Sequence, residues 1–287
     1  MNVLSLFDGM SCGQIALERA GIEVENYFAS EIDENAIKVS AHNYPDIKRL
    51  GDITKWESWD IDYSKIDLVL GGFPCQAWSI AGKQLGDKDE RGKLFWVMLD
   101  IMKKVLKSNP NAKYLMENVK MKKEFDDYIT YHTSQTLGIV YKYHINSRNI
   151  SAQNRPRIFW TNINGIQEPN DREIFLKDIL EINVDSKYNL SQKAIDYMSR
   201  FRNDKPRWEY HKNLLNGKAS CLTANMYKGV PYGVIKELLR RLTPLECERL
   251  QTVPDNYTNC VKDTHRYKML GNGWTIDVIS HIFSYLK

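Results

Sequence analysis

Residues 2–31 read NVLSLFDGMSCGQIALERAGIEVENYFASE, and this stretch decides the fold class. Asn2 to Phe7 is a short apolar run of the kind that forms a buried strand. Asp8 to Gly13 is a glycine-bearing turn, and Gln14 to Ala20 carries a helical pattern stopped by Gly21. A second strand, Tyr27 to Ser30, runs into Glu31. Two neighbouring strands joined through a helix lie parallel, so the chain opens as an α/β protein with helices wound on a mostly parallel sheet.

The same rhythm continues outward. A third short strand leads to Asp52, Ile66 to Leu70 is the clearest strand and ends in Gly71-Gly72, and a helix is expected over Leu94 to Leu106. Tyr114 to Met116 forms a strand ending at Glu117, and Val140 to Asn146 and Arg157 to Thr161 complete a sheet of six or seven strands. In such sheets ligands bind beyond the carboxyl ends of the strands. Asp8, Glu31, Asp52, Cys75 and Glu117 each fall just past an expected strand end, so one edge should gather them all. After Gly165 the rhythm gives way to polar, basic text up to about Gly233. Helical pattern returns at Pro244 to Thr252 and Thr275 to Leu286.

At 287 residues, 43% hydrophobic and 26% charged, with a mean hydropathy of -0.49, the composition is that of a globular chain rather than a disordered one. No apolar run approaches the roughly 20 residues of a membrane span, and the N-terminus lacks the basic flank of a signal peptide, so a cytoplasmic protein without membrane contact is expected. The five cysteines are scattered and form no C-x-x-C pair, which argues against a disulfide framework and against a metal site. Nothing in the sequence sets the oligomeric state; a monomer is the simplest expectation. Net charge is only +4, but Lys187 to Lys228 holds nine Lys/Arg against three acids, a local +6 that leaves -2 for the rest. Interleaved with Tyr188, Tyr197, Trp208, Tyr210 and Tyr227, that block reads either as a phosphate-tracking surface or as a solvated basic face.

Strand, glycine turn, helix, strand and acid is a nucleoside-binding layout, since the acid can accept hydrogen bonds from ribose hydroxyls. Glu31 lies 22 residues beyond Gly9, near the usual offset of about 20. The turn F-D-G-M-S-C-G departs from G-x-G-x-x-G, the pattern that brings a pyrophosphate to a helix N-terminus. A nucleoside without phosphates fits better. S-adenosylmethionine is such a molecule, with Asp52 placed to meet its adenine amino group; a nicotinamide, a flavin and a turn without ligand are the alternatives. Cys75, in G-G-F-P-C-Q, sits on a glycine- and proline-shaped loop, either as a small buried hydrophobe or as a nucleophile. Glu117 is a second carboxylate at that edge, or else a helix N-terminal charge. Arg155 and Arg157 bring guanidinium groups towards it. Thiol, carboxylate and arginine together suit covalent chemistry on an electron-poor ring.

The blocks L-F-D-G-M-S-C-G, G-G-F-P-C-Q-A-W-S, M-E-N-V, Q-N-R-P-R-I-F-W, L-T-P-L-E-C-E-R-L-Q-T-V-P and L-G-N-G-W-T-I-D-V-I resemble, in order and spacing, the motifs of the C5-cytosine DNA methyltransferases over about residues 1–165 and 240–287. The resemblance implies a Rossmann-like S-adenosylmethionine-dependent methyltransferase sheet with helices on both faces, plus a small target recognition domain. The expected division is 1–170 for catalysis and cofactor, 171–262 for target recognition, and 263–287 returning to the catalytic domain. By the same resemblance the Cys75 thiolate adds to carbon 6 of cytosine, and Glu117 meets N3 as a protonated or proton-sharing carboxyl in a dry pocket. Arg157 contacts the base carbonyl, Arg155 holds the intermediate or a phosphate, and a water removes the carbon 5 proton. The product of the cofactor is S-adenosylhomocysteine.

Phe7, Asp8, Gly9, Met10, Gly13, Glu31, Ile32, Asp52, Ile53, Gly71, Pro74, Leu94, Asn272, Gly273 and Trp274 are thereby implied at the cofactor. Gly273-Trp274 departs from the usual bacterial form of the last block and is nearer to the Ser-Trp of animal de novo methyltransferases. Because the target atoms are hidden in a stacked duplex, the cytosine must be flipped out. The stretch from Ser79 to Lys88 resembles the family's mobile loop, with Gln76, Ser79, Lys83 and Gln84 against double-stranded DNA. Arg200, Arg202 and Arg207 of the basic block, and Leu222 and Thr223, which resemble the family's Thr-Leu element, complete the expected DNA contacts. A start almost at the cofactor block and many Lys, Ile and Asn residues point to a bacterial or phage enzyme of a restriction-modification system or standing alone. The rival readings are a tRNA cytosine-5 methyltransferase and a catalytically silent DNA-binding homologue.

Overall fold

The computed structural model describes residues 1–78, 86, 89–210 and 213–286, the Arg91 side chain excepted. The chain runs β1 (Asn2–Leu6), α1 (Cys12–Arg19), β2 (Asn26–Ser30), α2 (Glu34–Asn43), β3 (Lys48–Arg49), β4 (Leu68–Gly71), α3 (Glu90–Ser108), β5 (Lys113–Val119), α4 (Lys123–Leu137), β6 (Tyr141–Asn146) and β7 (Pro156–Thr161). These strands form one seven-stranded sheet in the order β3-β2-β1-β4-β5-β7-β6. The pairs β3–β2, β2–β1, β1–β4 and β4–β5 are parallel, whereas β5 and β7 run antiparallel.

Alternation along the strands divides the sheet into two buried faces. Leu4, Leu6, Val69, Tyr114, Met116 and Trp160 join one core cluster with Phe95, Met98, Leu99 and Met102 of α3. On the other face, a Cβ added to Gly13 in α1 would lie 2.6 Å from Leu70 Cδ1 and 2.7 Å from the Tyr27 hydroxyl. Only glycine lets α1 approach the sheet this closely. Helices therefore cover both faces, and strands buried on both sides read as continuous apolar runs, which is why β1 and β4 were legible.

Of the boundaries that differ from the sequence expectation, two bear on the site. β5 runs to Val119, so Glu117 stands inside the strand rather than past its end, because pairing with β7 continues to Val119↔Arg157. α1 begins at Cys12, within the expected turn, with Ser11 before it in the left-handed region at φ 64°.

The chain divides into two compact units. The first is Met1–Ile145, Pro156–Glu168 and Ser280–Lys287; the second is Asn146–Arg155 and Pro169–Ile279. Compared with the division read from the sequence, Asn146–Arg155 joins the second unit and the return comes at Ser280 instead of 263. The second unit holds α5 (Gln192–Ser199), a ribbon of β8 (Phe201–Arg202) and β9 (Lys205–Pro206), and a second ribbon of β10 (Val234–Ile235) and β11 (Arg240–Arg241). α6 (Pro244–Leu250), α7 (Asp263–Asn272) and the start of α8 (Ile276–Phe283) follow. α6 starts with a capping box in which Thr243 and Glu246 bond reciprocally, with Pro244 in its first turn. Glu246 also takes a two-armed ion pair from Arg240, at 2.7 and 2.9 Å, and both side chains are buried. Glu248 accepts from the Asn256 and Thr258 amides and from Arg266. The L-T-P-L-E-C-E-R-L block thus spends its charges on holding this unit together. Among the described residues, no helix is long and apolar enough to cross a membrane.

Candidate active site

At the carboxyl end of β1 the backbone takes left-handed φ values at Phe7 (57°), Gly9 (61°) and Ser11 (64°), a sharp turn that lifts the Gly9 amide off the sheet. That amide donates to Glu31 Oε2 at 2.8 Å, while Glu31 Oε1 accepts from the Ile32 and Asp33 amides at 2.7 and 2.8 Å. Three backbone donors thus fix the carboxylate at the end of β2, and Oε2 keeps an accepting position. A Cβ on Gly9 would meet nothing within 4 Å, so the space above the turn is open. Ile32 beside it is 70% exposed. Past β3, Asp52 caps a 3-10 turn over Ile53–Ser58, and the Thr54 amide bonded to its carboxylate holds its pKa below the usual value. Phe7, Gly9, Glu31, Ile32, Asp52, Pro74 and Leu94 are all at least partly accessible.

Five residues expected at the cofactor are buried. Asp8 is buried beneath the turn, where its carboxylate accepts from the Ser11 hydroxyl at 2.6 Å and the Tyr27 hydroxyl at 2.8 Å. Burial pushes its pKa up from 3.8 to about 6, although those hydroxyls oppose the shift. Ser11 further bonds Ser40, which accepts from Arg49, so a polar relay without a local sequence signature lies under the turn. Met10 is buried, Ile53 belongs to the core cluster, and Gly13 and Gly71 are packing positions; a Cβ on Gly71 would sit 2.6 Å from Met98 Sδ.

Cys75 opens a 3-10 turn, Cys75–Ala77, directly after Pro74, and is half-buried. Phe73 and Trp78 on either side of it are buried and meet Phe95 with ring centroids 5.2 and 5.8 Å away, so an aromatic bed fixes both ends of the turn. Asn118, buried, donates from Nδ2 to the Phe73 carbonyl at 3.0 Å and ties the Cys75 loop to β5. Sequence reasoning quoted Asn118 within M-E-N-V but gave it no role; a polar side chain in an otherwise buried strand was the available signal. Gln76 is exposed. Ser79, Lys83 and Gln84, with most of the expected mobile loop, lie outside the described residues.

Glu117 and Arg157 meet across the antiparallel pair. Arg157 is opposite Val119, two residues from Glu117 and on the same sheet face, and its Nε lies 2.8 Å from Glu117 Oε1. Both side chains are nearly buried, 10% and 13% exposed, so the pair is shielded from water. Since Gly71, the last residue of β4, is paired with Met116, Glu117 stands one residue beyond the point where the chain leaves β4 for the Cys75 loop. Three neighbouring strands deliver a thiol, a carboxylate and a guanidinium.

Arg155, Arg200, Arg202, Arg207, Leu222, Thr223, Asn272, Gly273 and Trp274 all belong to the second unit. Arg155 is 2% exposed. Its guanidinium donates to the carbonyls of Leu222 (2.8 Å), Gly271 (3.1 Å) and Gly273 (2.7 Å), so it clamps three loops instead of standing ready for a phosphate. Gln153 and Gln251 run beside it: Gln153 accepts from the Leu222 amide, and Gln251 donates to the Leu270 and Gly273 carbonyls. A Cβ on Gly271 would lie 2.2 Å from the carbonyl carbon and oxygen of Thr223, which explains the glycine. Gly273 closes α7, its amide donating to the Met269 carbonyl at 2.7 Å and its own carbonyl accepting from Arg155 and Gln251, at an ordinary φ of -67°. Arg200 and Arg202 are exposed, and the Arg207 guanidinium lies 4.5 Å from the Tyr197 ring centroid.

Comparison with known proteins bears on what this arrangement does. The chain is 33% identical to the type II methyltransferase M1.ScrFI of Lactococcus lactis subsp. cremoris over 98% of its own length and 76% of that protein. It is 32% identical to the type II methyltransferase M.HpaII of Haemophilus parainfluenzae, covering 96% and 86%. Among solved structures, the Entamoeba histolytica methyltransferase EhMeth shares the fold, with a TM-score of 0.75 at 19% identity over 100% and 97% of the two chains. The model of the C-5 cytosine-specific DNA methylases matches residues 1–287. A match along the whole length, through the segments that carry Cys75 and Glu117 as well as the second unit, means that the chain belongs to the C-5 cytosine-specific DNA methylase family.

Proposed function

We propose that this chain flips a cytosine out of duplex DNA and methylates its carbon 5, with Cys75 as nucleophile. The observation that carries the reading is the buried Glu117–Arg157 pair on β5 and β7, next to β4, from which the chain runs into the Cys75 turn. Carbon 5 of cytosine is a poor nucleophile. When the Cys75 thiolate bonds to carbon 6, the electron pair of the 5,6 double bond moves to carbon 5 and towards N3. Glu117, held by Arg157, meets N3 and shares a proton there, so that charge is neutralised in a water-poor site. Arg157, whose Nη1 also donates to the Pro156 carbonyl at 2.8 Å, contacts the base carbonyl. After carbon 5 has been alkylated, a water takes its proton, the 5,6 double bond re-forms and the sulfur leaves. Arg155 acts at a distance, as the clamp of the loops that carry Leu222, Thr223 and Asn272.

The turn at β1 fits S-adenosylmethionine: open space above Gly9, a carboxylate fixed at the end of β2, exposed Ile32 beside it, and no glycine pattern for phosphates. Phe7, Gly9, Glu31, Ile32 and Asp52 would hold its nucleoside. When bound, it supplies an electrophilic methyl group on a sulfonium. The polypeptide's part is to orient that nucleoside and to exclude water.

Incubation with unmethylated duplex DNA and methyl-labelled cofactor should place label in DNA; label in tRNA alone, or in neither, refutes the reading. DNA carrying 5-fluorocytosine at target sites should trap a covalent adduct, because fluorine blocks the elimination. A Cys75→Ala protein that still formed the adduct would remove Cys75 from its role.

A further inference from the structure

The ribbon of β8 and β9 carries a side chain that the chemistry above does not use. Phe201 is 69% exposed, a phenyl ring that its own ribbon leaves in solvent beside two cations. It is paired across the ribbon with Pro206, while Arg202 is paired with Lys205. Alternation puts the first pair on one face and the second on the other. The ribbon therefore has an aromatic face and a cationic face, and exposed Arg200 precedes it.

The ribbon is also braced from beneath. Trp208 is buried with Met198 and Val234, and its indole donates to the Ser199 hydroxyl at 3.2 Å. Tyr210 donates to the Arg202 carbonyl at 2.8 Å, and Arg207 donates to the Arg200 carbonyl at 3.2 Å while stacking on Tyr197. A braced two-stranded ribbon with a bare phenyl ring on one face and cations on the other matches the chemistry of a stacked, polyanionic partner, for which aromatic faces and phosphate-seeking cations work together.

We infer that Phe201 is a stacking wedge for duplex DNA, its ring set against a base step while Arg202 and Lys205 take phosphates. The inference rests on the DNA-methylating reading, but can fail without it. The test measures methyl incorporation into unmethylated plasmid DNA as a function of DNA and salt concentration for the wild type, Phe201→Ala, Phe201→Trp and Arg202→Ala. Phe201→Ala should raise KM for DNA about tenfold, with a far smaller change in kcat and an unchanged salt slope. Phe201→Trp should restore KM. Arg202→Ala should instead lower the log-log salt slope by about 1. Because Phe201 is exposed, the thermal transition of Phe201→Ala should match wild type. A Phe201→Ala KM within twofold of wild type overturns the inference, as does a finding by sedimentation that this change only dissociates a dimer. If wild-type protein labels no DNA, it is the functional reading that falls.

Discussion

An Asp8→Asn substitution removes the charge of the carboxylate under the β1 turn while keeping its shape. Asp8 is buried and its pKa stands at about 6 against an ordinary 3.8, with desolvation as the main cause. A shift of this size corresponds to roughly 3 kcal/mol, at about 1.4 kcal/mol per unit. The folded pKa is the higher one, so between those two values the native state binds more protons than the unfolded chain. The stabilisation is complete below pH 3.8 and is lost as pH rises through 6. The asparagine has no such dependence, and the Ser11 and Tyr27 hydroxyls can turn to donate to its oxygen or accept from its amide. Urea unfolding of the wild type and Asp8→Asn, followed by tryptophan fluorescence from pH 4 to 7, should show wild type losing on the order of 3 kcal/mol relative to the variant across that window. A stability difference that stays constant between pH 4 and 7 would refute the assignment of a buried, charge-penalised carboxylate.

Further outcomes concern the loops around the site. Gly271→Ala forces a Cβ into the Thr223 carbonyl, backbone against backbone, and should destabilise the protein by roughly 2–3 kcal/mol or more, read as a lowered urea midpoint. Asn118→Ala leaves the Phe73 carbonyl without its donor and should cost about 1–3 kcal/mol, with slower adduct formation on 5-fluorocytosine DNA because the Cys75 turn loses its tie to β5. Arg157→Lys keeps the charge but not the planar fork held against Glu117, so adduct formation should slow by about tenfold or more while the thermal transition moves little. Arg155→Ala strands three backbone carbonyls and should lower stability by several kcal/mol, and Arg155→Lys, whose single ammonium cannot reach all three, should not recover wild-type stability.

The sequence by itself determined the strands of the sheet and the first strand-turn-helix unit, because strands buried on both faces and glycine-stopped helices leave continuous local patterns in β1, α1, β2 and β4. Ordered motif blocks marked Cys75 and Glu117, and the offset from Gly9 marked Glu31, since the residues of each such block lie next to one another in the chain. Only the tertiary structure decided which of the residues near a motif face open space and which fill the interior. Asp8, Met10, Gly13, Ile53 and Gly71 sit in or beside the expected motifs, yet the sheet and α1 and α3 bury them. Arg155 and Arg157, two residues apart on one stretch, part company for the same reason. The strand pairing of β7 with β5 brings Arg157 to Glu117, while Arg155, just before that strand, is held by carbonyls 67 to 118 residues away. Partners so distant in sequence leave no local pattern, because hydrogen bonds to backbone carbonyls ask nothing of the side chains that present them.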